Sequence, residues 1–257
     1  MILSRPDQLT SIPRKIVSLV PSQTALLHHF GLENEVLGIT KFCIHPQTWR
    51  SSKTIIGGTK NLHIDKITSL QPDLVIANKE ENIREQVEKL AEEIPVWVTD
   101  VNDLPGALQM IDDLGRLTGK TDKANLLIES IHDRFNQLNI TIPIPTAYLI
   151  WRNPYMTVGN DTFIHDMLSR SGFSNVFSHL SRYPEIDLVT LKASGCKVLL
   201  LSSEPYPFSE KHMDEFAEQL PGVKVMLADG EMFSWYGSHL LQAPDYFKKL
   251  YIECLNT

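Results

Sequence analysis

Short apolar strands alternate with helices along the first hundred residues, and this order of elements restricts the fold more than any other feature. Four runs of three to five apolar or β-branched residues, at 16–20, 36–40, 74–77 and 96–98, are separated by helical patterns. Strands this short that alternate with helices are typical of a parallel sheet covered by helices on both faces. The sequence therefore predicts an α/β lobe that ends near residue 100.

A long helical segment without a strand signal follows this lobe. Residues 103–139 contain two helical stretches, broken around Gly119, and the second stretch covers residues 122–139. At 1.5 Å per residue a helix of that length is a rod of roughly 27 Å, about the width of a small lobe. Its apolar side chains recur at steps of three and four residues, as on one face of a helix. They are Ala124, Leu127, Ile128, Ile131, Phe135 and Leu138.

The alternation of strands and helices resumes after this rod. Strands are predicted at residues 147–151, 197–201 and 223–227, with helices between them. A last helix is predicted near residues 238–255, where Pro244 bends or interrupts it because proline lacks an N–H group. This order indicates a second α/β lobe.

The predicted fold class is α/β, with two Rossmann-like lobes of parallel-rich sheet joined by one long backbone helix. We assign residues 1–102 to the first lobe, residues 103–144 to a helical linker that includes the backbone helix, and residues 145–257 to the second lobe. Ligands of open α/β sheets lie outside the carboxyl ends of the strands, so two such lobes predict one binding cleft between them. A rigid rod between the lobes predicts only modest closure on a ligand.

Charge and apolar patterning argue against several classes of partner. Acidic residues outnumber basic ones by 31 to 24 and no Lys/Arg cluster stands out, so we expect no binding to nucleic acid. The longest apolar runs are strand-sized, far below the ~20 residues that span a bilayer. The three cysteines are widely spaced and predict neither a disulfide framework nor a zinc ribbon. No secretory signal pattern opens the sequence, so either a signal was removed or the protein stays inside the cell.

Catalysis is the competing class of function. The sequence has no Gly-x-Ser-x-Gly elbow, no P-loop lysine motif, no Gly-x-Gly-x-x-Gly and no His-Glu-x-x-His. Scattered Ser, His and Asp residues show no spacing that nominates a catalytic or metal-binding set, so we assign neither and expect a protein that is not an enzyme. The alternative is a cytoplasmic enzyme or carrier that handles a metal chelate or cofactor on the same two-lobed fold.

Several motifs stand in an order typical of one known family. They are Lys-Ile-Val-Ser-Leu-Val-Pro-Ser-Gln-Thr at residues 15–24, Gly57-Gly58, and Ile-Asp-Lys-Ile-x-x-Leu-x-Pro-Asp-Leu-Val-Ile-Ala at residues 64–77. With the long helix after them, the chain resembles the helical-backbone (class III) periplasmic binding proteins, which include the cobalamin-, siderophore- and haem-binding components of ABC importers. It is most similar to the cobalamin branch, through residues 77–82 and 202–208.

The resemblance implies the substrate-binding component of an ABC importer, a protein without an intrinsic cofactor that captures a metal-bearing small molecule and delivers it to a membrane permease. A corrinoid is the first expectation for this ligand, an iron-siderophore or haem the next, and a bare metal ion the last. We expect a monomer that acts in the periplasm or at the cell surface. Thr59 and Asn78 stand where aromatic side chains face the corrinoid in the cobalamin branch, and this departure concerns the ligand rather than the fold.

Loops that follow predicted strands carry the candidate ligand contacts of the first lobe. Amides at a helix start attract polar or anionic groups, paired glycines let a ligand approach the backbone, and a neutral imidazole ligates metals or bonds amides. A helix cap, a turn or an exposed histidine would account for the same residues. The candidates are Pro21, Ser22, Gln23, His45, Gly58 and Thr59.

Aromatic residues on loops are the candidates of the second lobe. Trp151, Tyr155, Tyr183 and Trp235 suit a large planar ligand, and Arg152 suits its carboxylate or amide edges. Packing within the lobe is the alternative role for some of these aromatic side chains.

The resemblance also implies an acidic residue on each lobe that docks into arginine-bearing pockets of the permease. The pattern of a short helix and an apolar strand at residues 67–77 recurs at residues 188–201, and we call the strands of these two patterns the matched strands. Glu80 and Glu204 each follow a matched strand by three residues and form the predicted pair. Glu81, Glu85 and Glu210 lie close enough to be the docking residues instead. Glutamates beside helix starts also favour the helix dipole without any partner.

Overall fold

The computed structural model describes residues 1–256 and confirms the predicted α/β class with two lobes of parallel-rich sheet. The chain packs into two compact units. The first unit comprises residues 1–101, 105–130 and 236–239, and the second comprises residues 102–104, 131–235 and 240–256. Residues of the predicted linker are therefore shared between both units, and four residues from the C-terminal part of the chain belong to the first unit.

A parallel sheet of six strands forms the centre of the first unit. Its strands pair in the order β1-β6-β5-β2-β3-β4, numbered along the chain, and every residue of β5 is buried, as in a central strand covered on both faces. The sequence pattern predicted four of them, whereas the first and fourth have two residues each and are too short to produce a pattern. The strands are β1 (Ile2–Leu3), β2 (Ile16–Ser18), β3 (Val36–Ile39), β4 (Thr54–Ile55), β5 (Leu74–Asn78) and β6 (Val96–Thr99).

Helices connect these strands and cover the sheet. Pro21 is the first residue of the first helix, a position where its missing N–H has no partner to lose, and residues 21–27 are all buried. Val17, Val75 and Val96 belong to one apolar core with residues of the last of these helices, Val87 and Leu90. The helices are α1 (Pro21–His29), α2 (Gln47–Ser52), α3 (Ile64–Ser69) and α4 (Arg84–Ala91), and a 3₁₀ turn covers Pro6–Gln8.

Two helices without intervening strands follow, as predicted. They are α5 (Leu104–Leu117) and α6 (Thr121–Asn136), and α6 begins in the first unit and ends in the second. The α5–α6 crossing is close, because a Cβ placed on Gly115 would overlap the Cβ of Ala124. A glycine inside a helix loses about 1 kcal/mol relative to alanine, and here it gives room for the neighbouring helix.

The second unit contains a four-stranded parallel sheet and a short antiparallel pair. In chain order its strands are β7 (Ile144–Leu149), β8 (Tyr155–Met156), β9 (Phe173–Asn175), β10 (Glu185–Ile186), β11 (Val198–Ser202) and β12 (Lys224–Ala228). The parallel sheet has the order β12-β11-β7-β9, and β10 pairs with β8. The sequence predicted the three strands with long apolar runs and missed the other three, which have two or three residues each.

Five helices complete the second unit within the described residues: α7 (Phe163–Arg170), α8 (Leu188–Ala193), α9 (Glu210–Gln219), α10 (Gly230–Ser234) and α11 (Ala243–Leu255). The prediction of one helix over residues 238–255 was partly wrong. A 3₁₀ turn at Ser238–Leu241 comes first, and α11 then begins at Ala243 with Pro244 in its first turn. Proline is compatible with a first helical turn, where N–H groups have no helical acceptor, so it starts this helix instead of bending it. Among residues 1–256, none of the helices combines the length and apolar character that a membrane span requires.

The α5–α6 contact leads to a prediction about stability. We expect Gly115→Ala to lower the free energy of unfolding by up to about 2 kcal/mol, because overpacking costs roughly 1–3 kcal/mol and the better helix propensity of alanine returns only about 1 kcal/mol. The swap Gly115→Ala/Ala124→Gly restores room for the methyl group and should be more stable than the sum of the two single changes. Urea denaturation of the wild type, both single variants and the swap measures this coupling, and strict additivity would contradict the proposed overlap.

Candidate functional site

The side chain of Asn78 connects several loops at the carboxyl end of β5. Its Oδ1 accepts the backbone N–H groups of Glu80 at 2.8 Å and Glu81 at 3.1 Å, and its Nδ2 donates to the carbonyl oxygen and the hydroxyl of Thr99, each at 3.2 Å. The backbone N–H of Asn78 donates to Oδ1 of Asn82 at 2.8 Å. Asn78 is 2% exposed, so its amide is a structural centre and not a surface contact.

Gln23 joins this network from the start of α1. Its Nε2 donates to the hydroxyl of Thr99 at 2.5 Å, and the side chains of Gln23 and Ser22 are both buried. The phenol of Tyr236 lies beside them. Burial raises the pKa of Tyr236 well above its usual value and the carboxylate of Glu81 acts in the same direction, whereas Gln23 and Ser22 act against it. The phenol is therefore neutral at physiological pH.

The loop after β3 is held by buried hydroxyl groups around Cys43. The hydroxyl of Thr24 donates to the hydroxyl of Ser18 at 2.8 Å and lies 3.1 Å from Sγ of Cys43, and the hydroxyl of Thr40 lies 3.2 Å from the same sulfur. Burial raises the pKa of the Cys43 thiol, which stays protonated. His45 follows on this loop, is half-buried, and has its ring centroid 5.4 Å from that of His239.

The paired glycines form a tight turn that is fastened to the Asn78 network. Gly57 has a φ of +105°, and a Cβ there would overlap the carbonyl oxygen of Asn61, so this position favours glycine. The backbone N–H of Gly58 donates to the same carbonyl at 2.9 Å. Thr59 is half-buried, and its carbonyl accepts the Nδ2 of Asn82 at 3.0 Å. The structure thus brings Gly58, Thr59 and Gln23 into one hydrogen-bonded set of loops.

In the second unit, Trp151 and Arg152 lie where β7 ends and contact the loop after β11. Trp151 is 39% exposed, and its ring meets that of Tyr206 edge-on at 5.8 Å between centroids. Arg152 donates from Nη2 to Oε2 of Glu215 at 2.7 Å, while its buried Nε has no hydrogen-bond partner among the described residues. This part of the unit combines an exposed aromatic ring with a guanidinium that pairs with a carboxylate.

The other predicted aromatic contacts of the second unit lie in packed surroundings. Tyr155 is half-buried with its ring 5.3 Å from that of Phe216, and Tyr183 is half-buried with the guanidinium of Arg182 over its ring at 5.6 Å. Trp235 is only 7% exposed. Its role as a ligand contact stays a prediction, and its surroundings match the alternative role in packing.

Glu204 occupies a mostly buried position. Its Oε1 accepts a hydrogen bond from the hydroxyl of Ser234 at 2.6 Å and one from Nε1 of Trp235 at 2.9 Å. Burial raises the pKa of this carboxyl, against the effect of the two hydrogen bonds. Glu80, its counterpart in the first unit, is half-buried and is positioned by its backbone N–H on Asn78.

Sequence reasoning did not single out Tyr206 and Tyr236, which lie beside the predicted residues. Tyr206 stands inside the motif at residues 202–208, which could have nominated it. Tyr236 comes from residues 236–239, which pack with the first unit although they lie more than a hundred positions after the rest of it. No local sequence signal indicates that return.

Comparison with known proteins finds binding proteins among the relatives of this chain. The uncharacterized ABC transporter substrate-binding lipoprotein YvrC of Bacillus subtilis is 28% identical over 169 residues, which are 61% of this chain and 53% of that protein. The vitamin B12-binding protein of Vibrio campbellii is 22% identical over 198 residues, 74% of this chain and 70% of that protein. The match thus spans about half the length of the first relative.

Among solved structures, the periplasmic vitamin B12 binding protein of Vibrio cholerae is similar with a TM-score of 0.82 at 17% sequence identity, over 95% of this chain and 99% of that chain. Likeness at this identity shows a shared fold. The family model described as periplasmic binding protein matches residues 16–228, from the start of β2 to the end of β12. These findings confirm the resemblance that the motifs indicated, and the chain belongs to the periplasmic binding protein family.

Proposed function

We propose that the protein is the substrate-binding component of an ABC importer and captures a metal-bearing small molecule, a corrinoid first and an iron-siderophore or haem next. The observation that carries this proposal is the surface around Trp151 and Arg152, at the end of β7. An exposed tryptophan ring beside a guanidinium offers stacking and hydrogen bonding to a planar ligand with polar edges. The ligands in the printed names of relatives support the same class.

The chemistry of the two units narrows the ligand to one of mixed polarity. The first unit offers polar groups, the amide of Gln23 and the hydroxyl of Ser22 beside the phenol of Tyr236. The second unit offers an aromatic ring for stacking and a guanidinium for carboxylate or phosphate edges. A corrinoid has a flat apolar macrocycle with amide and phosphate groups around it and matches both chemistries. Haem offers carboxylates but no amides, so it ranks behind.

A binding role outside the cytoplasm, without catalysis, is part of this proposal. The names of relatives, a lipoprotein and periplasmic binding proteins, support it. We also propose a permease partner and a monomeric state, because the role of the family implies both.

Two residues of the second unit stay candidates for the docking proposal, Glu204 and Glu210. Glu204 is half-buried, and its Oε1 already accepts two hydrogen bonds. Glu210 is exposed in the first turn of α9, and Glu85 is exposed in the first turn of α4, the helix that follows the matched strand of the first unit. We therefore propose Glu85 and Glu210 as the docking pair, with Glu80 as the second candidate in the first unit.

The ligand proposal is tested by titration with cyanocobalamin, haem and a ferric hydroxamate. We expect binding of one of them in the micromolar range or tighter, and Trp151→Ala should weaken it by about tenfold, since a well-packed aromatic contact contributes more than 1 kcal/mol. Val189→Ala is the control, because Val189 is an apolar residue of the second unit that is 74% exposed. Isothermal calorimetry measures both effects. Absence of binding to all three compounds would reject the ligand class.

The docking proposal is tested by charge reversal. Glu85→Lys/Glu210→Lys should weaken association with the cognate permease in nanodiscs by at least about tenfold and leave ligand affinity unchanged, because charges at the edge of an interface act on the partner. Glu88→Lys/Glu218→Lys changes the net charge equally on the same two helices and is the matched control. Equal losses in both double variants would mean that net charge alone acts, and the assignment of Glu85 and Glu210 would be abandoned.

A further inference from the structure

Two histidines that are distant in the sequence meet in the first unit. The ring centroids of His45 and His239 are 5.4 Å apart, with the ring planes inclined by 48°. A ring nitrogen of one lies within 4.8 Å of a ring nitrogen of the other. Both residues are partly exposed to solvent.

The backbone on both sides of this pair is held in place. His45 is two residues from Cys43, which is buried between the hydroxyls of Thr24 and Thr40. On the other side, Tyr236 is buried beside Ser22 and Gln23. A Cβ built on Gly237, which has a φ of +95°, would stand 3.3 Å from Cβ of Leu26, so this segment lies directly against α1. The two imidazoles are therefore positioned by the packing of one unit, and their approach does not depend on a flexible loop.

We infer that His45 and His239 form a binding site for a divalent transition-metal ion such as Zn²⁺, Co²⁺ or Ni²⁺. Neutral imidazole is a preferred ligand of these ions. Zn–N bonds of 2.0–2.1 Å in tetrahedral geometry place two ligand nitrogens about 3.4 Å apart, a separation that small rotations of the two rings reach from the present one.

This site goes beyond the proposed function, because it binds a bare ion whether or not the protein carries a chelate. The sequence ranked a bare metal ion last among ligands, since no motif supplied clustered metal ligands. The pair exists only because residues 236–239 return to the first unit. A plain ring contact without an ion is the competing explanation, and the two explanations differ in what metal addition does.

The test uses protein without a polyhistidine tag, stripped with a chelator and titrated with Zn²⁺ and Co²⁺. We expect one ion per chain, measured by calorimetry and by the visible absorption of bound Co²⁺. His45→Gln and His239→Gln should each lower the affinity more than about 100-fold, above the 10–100-fold that loss of an outer partner of a metal ligand causes. His28→Gln/His29→Gln removes the other neighbouring histidine pair of this unit, both exposed, and should leave the affinity unchanged.

Thermal unfolding without metal shows whether each variant folds, and a rise of Tm on addition of Zn²⁺ in the wild type but not in His45→Gln or His239→Gln is the second expected readout. No binding by the folded wild type, or binding that survives both single substitutions, overturns the inference. Titration with cyanocobalamin and haem in the presence of the chelator tests the proposed function separately, so that either can fail while the other stands.

Discussion

The buried amide of Asn78 is the interaction on which the candidate site of the first unit depends. It bonds backbone groups of the loop after β5 and the end of β6, and through Thr99 and Asn82 it reaches Gln23 and the glycine turn. Each buried polar group of this set that lost its partner would cost about 1–3 kcal/mol. The loops therefore form a coupled set, and the position of Ser22 and Gln23 follows from it.

In the second unit β11, like β5 in the first, ends in a polar side chain that bonds the loop after the strand. Here that side chain is a hydroxyl and not an amide. Ser202 replaces the amide with a hydroxyl that donates to the carbonyl of Glu204 at 2.6 Å and lies 3.4 Å from its N–H. The hydroxyl of Tyr148 donates to Ser202 at 3.0 Å. In both units a polar side chain at the last position of a buried strand fixes the glutamate two residues later. The carboxylate of Glu204 then accepts hydrogen bonds from Ser234 and Trp235.

This difference is the reason why we rank Glu210 before Glu204 as a docking candidate. A carboxylate that is mostly buried needs fixed donors, since burial without them is unfavourable for the charged form. Glu204 has two such donors, Ser234 and Trp235, and both bond its Oε1. Glu85 and Glu210 are exposed in the first turns of α4 and α9. There the positive end of each helix dipole stabilises the carboxylate, and water still solvates it.

The sequence by itself determined the class of fold, because buried strands of four or five apolar residues and a helix with a regular apolar face leave recognisable periods. It also located β2, β5, β7 and β11, whose carboxyl ends carry candidate site residues. Strands of two residues, such as β4 and β8, are too short to show a periodic pattern in the sequence. The effect of Pro244 on its helix was ambiguous, because proline interrupts the middle of a helix but fits its first turn.

Tertiary structure alone decided which candidate residues lie close together. Trp151 meets Tyr206, Gln23 meets Thr99 and Tyr236, and His45 meets His239 across separations of 55 to 213 positions. Burial likewise distinguished the exposed Trp151 from the buried Trp235, although both are tryptophans on loops. The physical reason is that long-range packing sets both proximity and solvent access, and a linear pattern records only the spacing of neighbours along the chain.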